Sequence, residues 1–283
     1  VRAARSASIE VVRLVRDQRA ARPGSIYWNH RNSLVVAHPV DLEDFDAVVH
    51  LGGATVAQRW TSKVQRSIFS SRVDATRTLC ERLAMARRPP RVLLCASAVG
   101  FYGNRGEEVL TEQSTAGSGF LADTCTAWEA ATRPAQDAGI RVVHLRFGIV
   151  LDKNGGALKK MLPAFRCGLG GRLGSGHQWM SWVSLPDVLR AMFFLMDRDD
   201  LSGAFNLASP NPVTNQIFTR ALARAVHRPA IFPVPRTALR LAFGAMADEG
   251  LLASSRALPK RLNEAGFAFE NDEIRTTLEA LLR

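Results

Sequence analysis

The sequence predicts an α/β protein: a parallel sheet with crossover helices, followed by a smaller mixed and helical lobe. Three observations carry this reading. The stretches "DAVVHLGGAT" (46–55), "RVLLCASAVGFYG" (91–103) and "IRVVHLRFGIVL" (140–151) are continuous apolar runs rather than alternating ones. Strands covered on both faces read this way, and such strands belong to parallel sheets. Between the runs lie two segments with helical spacing, about 61–86 and 119–137. Strands and helices alternating at this length build crossover units.

The elements follow in order. "ASIEVVRLVRDQRAARPG" (7–24) reads as a strand from Ile9 to Val15 that ends on Arg16, followed by a basic loop closed by Pro23 and Gly24. "SIYWN" (25–29) is a second short run of β formers, and the stronger run at 46–55 stops on Gly52 and Gly53. The helix at 61–86 places Val64, Ile68, Val73, Leu79 and Leu83 on one face, with Arg66, Arg72, Arg77 and Arg82 between them. Pro89 and Pro90 stop it. The next strand ends on Ser97. The helix at 119–137 has Leu121, Cys125, Trp128 and Ala131 as its buried stripe, and Gly139 closes it. From 152 the texture changes to glycine-rich loops around a short helix and a Trp-rich segment. A helix at 185–196, a strand at 203–209 and a helix at 214–226 with Thr214 as N-cap come next. Pro229, Pro233 and Pro235 mark a seam, and the rest is helical. The expected organisation is 1–151, 152–230 interleaved with it, and a helical segment 231–283.

Composition narrows the classes. The chain has 283 residues, 47% hydrophobic and 22% charged, which allows a substantial core. No apolar run approaches the ~18 residues of a membrane span, and "VRAARSASIE" has no apolar core of a signal peptide. Cys80, Cys95, Cys125 and Cys167 lie far apart with no CxxC pair, as expected for reduced thiols in a cytoplasmic protein. The formal net charge is +11, but the arginines are scattered and no basic–aromatic pattern or finger motif accompanies them, so nucleic acid is disfavoured. The six histidines show no metal spacing; His144 reads as a core or cleft residue. Glu107, Glu108 and Glu112 read as a solvated acidic loop.

The blocks "VVRLVR", "DAVVHLGGA", "SSRVDATRTL", "ASAVGFYG", "GFLADTCTAWEAAT", "LRFGIVL", "GGALKKMLPAF", "GLGGRLGSGHQWMSWV" and "ASPNPVTN", in this order, resemble the atypical extended short-chain dehydrogenase/reductases called epimerase-family or cell-division-inhibitor-like proteins. The segment from about 230 resembles their small C-terminal domain, of the DUF1731 type. The resemblance implies a Rossmann fold, NADP as cofactor and a small-molecule substrate of unknown identity. A monomer and a homo-oligomer are both compatible with it. In that family a first strand and a GxxGxxG turn precede the arginine strand. The eight residues before Ile9, "VRAARSAS", hold no glycine and no apolar run. The expectation is a sheet lacking its first strand, with unpaired edges, an open core face, marginal folding and poor dinucleotide binding.

Site residues follow from strand ends, where ligands of open α/β sheets bind. The resemblance places Arg16 opposite the 2′-phosphate of NADP, which a guanidinium can bind bidentately. Leu51, Gly52 and Gly53 end the next strand where backbone passes adenine and ribose, and Arg72 matches a family position near the cofactor. Ser97 matches the hydroxyl that bonds the reacting carbonyl. The Tyr-x-x-x-Lys pair of the wider superfamily is absent: Phe120 or Leu121 stands in the tyrosine place, Thr124 or Cys125 in the lysine place. Tyr102 is the remaining candidate acid. "GSGHQWMSWVSLPDV" keeps Gly174, Gly176, Gln178 and Asp187 of a nucleotide-sugar pattern but has Met180 at its arginine and Ser184 at its histidine, which disfavours a nucleotide sugar. Trp179, Met180 and Trp182 suggest an apolar wall. The function implied is an NADP-dependent oxidoreductase or epimerase-like protein; the alternative is a non-catalytic nucleotide-binding regulator.

Overall fold

The computed structural model describes residues 2–6, 9–15, 19, 25–28 and 42–283. From the N-terminus, α1 (Arg2–Ser6) leads to strands β1 (Arg13–Val15), β2 (Ser25–Tyr27) and β3 (Ala47–His50). Helices α2 (Ser62–Ser70) and α3 (Val73–Ala84) cross to β4 (Val92–Ala98), which runs into a 3-10 turn at Val99–Tyr102. Then come β5 (Val109–Leu110), α4 (Phe120–Ala130), α5 (Arg133–Asp137), β6 (Arg141–Phe147) and β7 (Ile149–Asp152). The second half holds α6 (Gly156–Arg166), β8 (Trp179–Met180), β9 (Trp182–Ser184), α7 (Leu185–Asp197), β10 (Gly203–Leu207), β11 (Val213–Thr214) and α8 (Asn215–Ala225). Helix α9 (Arg236–Phe243), a π turn at Ala247–Leu251, β12 (Arg256–Ala257), α10 (Lys260–Glu264) and α11 (Ile274–Leu282) complete the chain.

The main sheet has the order β10-β6-β4-β3, and its strand pairs are parallel. Its centre explains the unbroken apolar runs. On β4, Leu93 and Cys95 face α3 and α4 with Leu79, Leu83 and Trp128, whereas Val92 and Leu94 face α7 with Val188, Ala191 and Leu195. A strand buried on both sides has no polar face to alternate with. A third core holds Leu158, Phe165, Trp182, Phe218, Leu222 and Leu278, and joins α6, α8 and α11. Trp182 is therefore a packing residue, not a wall of an open site.

The helical segments are shorter than their spacing predicts. The segment 61–86 breaks between α2 and α3 at Ser71–Arg72. Ser71 accepts a hydrogen bond from the Ala54 N–H (2.9 Å) and donates to the Ile68 carbonyl (3.1 Å). The segment 119–137 breaks at Ala131–Thr132, where Pro134 opens the next helix and the Thr132 hydroxyl bonds the Glu129 carbonyl and His144. The run 140–151 splits at Gly148, whose Cα passes so close to Ser181 that a Cβ would meet its carbonyl oxygen at 2.7 Å. Beyond it, β7 leaves the main sheet and pairs with β9. Thr214 does cap α8, accepting from Ile217 N–H at 3.4 Å.

Strands β1 and β2 form a parallel ribbon of their own. Among the described residues β1 pairs with β2 and not with β3, although β1 and β3 line the same cavity. The C-terminal segment is tied into the body at several points. β12 pairs with β5, Leu258 donates to the Leu110 carbonyl (2.8 Å), and Ser181 donates to Ser255 O (2.8 Å) while accepting from Ala257 N–H (2.8 Å). No helix among the described residues is long and apolar enough to cross a membrane.

Candidate functional site

A cavity of about 1980 Å³ runs along β3 from Asp46 to Gly53, passes the carboxyl end of β4 and extends to α9 and the π turn. Leu51, Gly52, Gly53, Arg72 and Ser97 all line it. Arg16 lies outside the described residues.

The loop after β3 is shaped around Arg72. A Cβ on Gly53 would lie 2.9 Å from the Arg72 guanidinium carbon, so glycine lets the guanidinium sit where it does and a larger residue would displace it. The guanidinium donates to the Ile68 carbonyl (3.2 Å) and sits 5.2 Å from the centre of the Trp128 ring. Its salt-bridge partners among the described residues are none. Burial lowers its pKa, the direction expected for a cation removed from water. A half-buried guanidinium with spare N–H groups on a cavity wall has the chemistry to bind an anion.

Ser97, the next-to-last residue of β4, is buried; its hydroxyl donates to Glu129 Oε1 at 2.7 Å. Glu129, in the last turn of α4, also accepts from two nitrogens of Arg146: Nε to Oε1 and Nη2 to Oε2, each 2.8 Å. Arg146 is a buried charge inside the largely apolar strand β6. Its Nη1 donates to the Tyr102 hydroxyl (3.0 Å), and Tyr102 donates to Asn206 Oδ1 (2.8 Å). Asn206 in turn donates to the Leu258 carbonyl (2.9 Å). Burial would raise the Glu129 carboxyl, but the hydrogen bonds and charge of Arg146, with the Ser97 hydroxyl, hold it below the ordinary value. Arg146 is correspondingly raised: its bonds and charge attraction with Glu129 outweigh burial.

This network corrects two expectations. Tyr102 does not reach the cavity as a proton donor. It is completely buried, its hydroxyl is engaged by Arg146 and Asn206, and burial raises its pKa. The cavity wall at this point is made by Gly100 and Gly103. Nor is the acidic loop wholly solvated. Glu107 accepts from the Trp179 indole (2.6 Å), and Glu112 accepts from the Asn206 N–H (3.0 Å). Burial raises the Glu112 carboxyl. His144 is a core residue bonded to Thr132 at 2.9 Å.

Where the superfamily pair would stand, α4 turns Leu121, Thr124, Cys125 and Trp128 toward the cavity. Burial pushes the Cys125 thiol up to about 11, which leaves it protonated and a poor nucleophile at neutral pH. Thr124 is buried and its hydroxyl has no hydrogen-bond partner. Such an orphan costs about 1–3 kcal/mol unless a ligand or water completes it. Farther out, Met161, Trp179, Met180, Met246 and Leu251 make an apolar region. At the rim, Arg236 and Arg240 share Asp248.

The C-terminal segment also builds the site. Gly119 has no side chain to cap α4, and Glu249 from the π turn fills that role, accepting from the Leu121 N–H at 2.9 Å. A carboxylate at a helix N-terminus also meets the positive end of its dipole. Replacing Glu249 by alanine is expected to cost about 1 kcal/mol, with partial recovery in Glu249→Gln. Urea denaturation of the two variants checks this.

Sequence reasoning missed Glu129, Arg146 and Glu249. A charge inside the apolar run "RVVHLRFG" was the available signal for a buried partner.

A parallel sheet with its cavity at the strand ends, closed over by a C-terminal helical segment, defines a Rossmann-like α/β protein of the short-chain dehydrogenase/reductase type. The profile of the NAD dependent epimerase/dehydratase family matches residues 1–208, and that of a domain of unknown function, DUF1731, matches 234–281. The chain belongs to the NAD dependent epimerase/dehydratase family. It is 46% identical over 273 residues to an epimerase family protein of Mycobacterium bovis, covering 96% of this chain and 89% of the relative. An epimerase family protein of Staphylococcus aureus is 36% identical over 241 residues, covering 85% and 80%. Among solved structures, human epimerase family protein SDR39U1, crystallised with NADPH, superposes with a TM-score of 0.89 at 28% identity, covering 99% of this chain and 93% of that one.

Proposed function

We propose that the cavity is a nicotinamide-dinucleotide site with NADP(H) as its ligand, and that the chain is an NADP-dependent oxidoreductase or epimerase-like protein acting on a small molecule. The observation that carries this is Arg72: a half-buried guanidinium on the cavity wall, packed against Gly53 beside the end of β3, with no carboxylate partner among the described residues. Strand ends in such sheets receive nucleotides, and guanidinium groups hold their phosphates. The solved human relative carries NADPH. Arg16 is assigned to the 2′-phosphate on the sequence pattern alone.

Calorimetric titration with NADPH and NADH tests the reading. Arg72→Ala is expected to weaken both dinucleotides about tenfold or more, the loss of a charge-assisted phosphate contact. Arg16→Ala is expected to weaken NADPH far more than NADH. No measurable NADPH binding by the unsubstituted chain, or unchanged affinity in Arg72→Ala, overturns it.

One observation favours the second reading, a nucleotide-binding regulator without catalysis. The cavity-facing side of α4 carries Leu121, Thr124, Cys125 and Trp128, with no tyrosine or lysine, and Tyr102 is engaged elsewhere. NADPH binding without hydride transfer across a broad panel of carbonyl compounds distinguishes this reading from the first.

A further inference from the structure

We propose that the face built by α6, α8 and the paired loops 166–174 and 228–234 is a docking surface for an anionic lipid bilayer. Its lysines and arginines are scattered along the sequence but gathered in the fold. Residues 153–186 hold five of them and residues 201–247 five more, and neither stretch holds an Asp or Glu. The formal net charge of the whole chain is +11, so the rest of it is close to neutral. The structure brings the two stretches together. Leu158 and Phe165 of α6 share a core with Phe218 and Leu222 of α8. The loop leaving α6 then runs beside the loop leaving α8. Arg228 Nε donates to the Arg166 carbonyl (3.3 Å), Val234 N–H to the Arg172 carbonyl (2.8 Å) and Gly174 N–H to the Val234 carbonyl (2.9 Å). The loops approach so closely that a Cβ on Gly171 would strike the Phe232 carbonyl oxygen.

Between those ties the loops present Leu169, Ile231 and Phe232, which are 64%, 70% and 55% exposed. Single exposed apolar residues are ordinary, but three large ones on neighbouring loops inside a polar ring mark an interaction site. The ring is cationic. Arg166, Arg172, Arg224 and Arg228 are exposed and make no ion pair among the described residues. Arg220, Arg224 and Arg228 line one depression with His227, and Glu279 is the carboxylate on its wall. An apolar tip within a ring of cations matches the two layers of a bilayer surface. The tip enters the acyl boundary while the guanidinium groups stay with the lipid phosphates. Other partners match less of it. A second copy would set the same cations against one another. Nucleic acid offers phosphates but no apolar phase for Leu169 and Ile231. A docked peptide needs a groove, whereas these side chains stand out from the surface. Binding of this kind needs no spanning helix.

Co-sedimentation of the whole chain with vesicles tests the proposal, using phosphatidylcholine alone and phosphatidylcholine mixed with phosphatidylserine. The mixed vesicles are expected to bind about tenfold more tightly than the neutral ones, and to release the chain at high salt. Arg224→Gln/Arg228→Gln is expected to weaken binding to the mixed vesicles about tenfold, and Ile231→Ser/Phe232→Ser by a similar factor. Arg77→Gln/Arg87→Gln removes the same charge from exposed positions on α3 and just beyond it, and α3 packs on the main sheet. That pair is expected to change binding less than about twofold. Far-UV circular dichroism checks that each variant is folded; should the Ile231/Phe232 pair fail to fold, Leu169→Ser probes the tip in its place. No binding to the mixed vesicles, equal binding to both kinds, or an equal loss in the α3 pair overturns the proposal. Loss with the Arg224/Arg228 pair but none with the tip variants would mark a plain polyanion contact, such as nucleic acid, and overturns it as well.

Discussion

Glu129→Ala is expected to destabilise the chain by about 3–5 kcal/mol. For a chain of this size that corresponds to a fall in melting temperature of roughly 10 °C. The alanine leaves Arg146 buried without its counter-ion, beside a Ser97 hydroxyl that has lost its acceptor. Removing one partner of a buried pair costs far more than removing both, because the charge left behind has no water to turn to. The double variant Glu129→Leu/Arg146→Met is therefore expected to melt above either single alanine variant, even though it deletes more polar contacts. Thermal melts followed by far-UV circular dichroism check the order. A double variant no better than the worse single one would show that the pair itself holds the sheet and helix together.

The second large effect is at Asp187, expected to lose about 3 kcal/mol on replacement by alanine. Its carboxylate is fully buried at the start of α7. It accepts from the Ser184 hydroxyl (2.9 Å), the Asn271 N–H (2.9 Å), the Glu270 N–H (3.0 Å) and Arg190 (3.0 Å). Alanine orphans two backbone donors, the N–H groups of Glu270 and Asn271, and loosens the approach to α11. Burial would raise this carboxyl, but the donors outweigh it and its folded pKa lies below the ordinary value. The unfolded chain, with an aspartate near 3.9, thus takes up its proton first as the pH falls. Asp187 contributes fully above about pH 4 and loses its contribution as the pH drops through the lower folded value. Stability measured from pH 6 to pH 2 is expected to fall less steeply in Asp187→Ala than in the unsubstituted chain. Equal slopes would remove Asp187 from the acid transition.

The main sheet was legible because its physics is local. A strand covered by α3 and α4 on one side and α7 on the other must be apolar at every position, as Val92–Ala96 are. Gly52, Gly53 and Ser97 were legible as strand ends, and their meeting on one cavity follows from parallel neighbours ending at the same level. The breaks in the helices were not legible. They depend on Ser71 reaching Ala54 and Thr132 reaching His144, contacts that no spacing encodes. Glu129 was hidden for the same reason: its partners Ser97 and Arg146 lie 32 and 17 residues away. Asp187 was noticed as the remnant of a sugar-enzyme pattern, whereas its bonds in the structure are to Ser184, Arg190 and the backbone at 270–271.

The strand β12 beside β5, and the bonds from Ser181, Asn206 and Leu110 to residues 255–258, fasten the last part of the chain across the cleft in several places at once. Such a molecule cannot work as a clamshell whose halves swing apart to admit a guest. A guest that crosses the edge where Arg236, Arg240 and Asp248 stand in solvent meets exposed ion pairs. Added salt loosens exposed ionic contacts of this kind, so entry and departure rates should respond to ionic strength at that threshold, while the fastened interior stays indifferent.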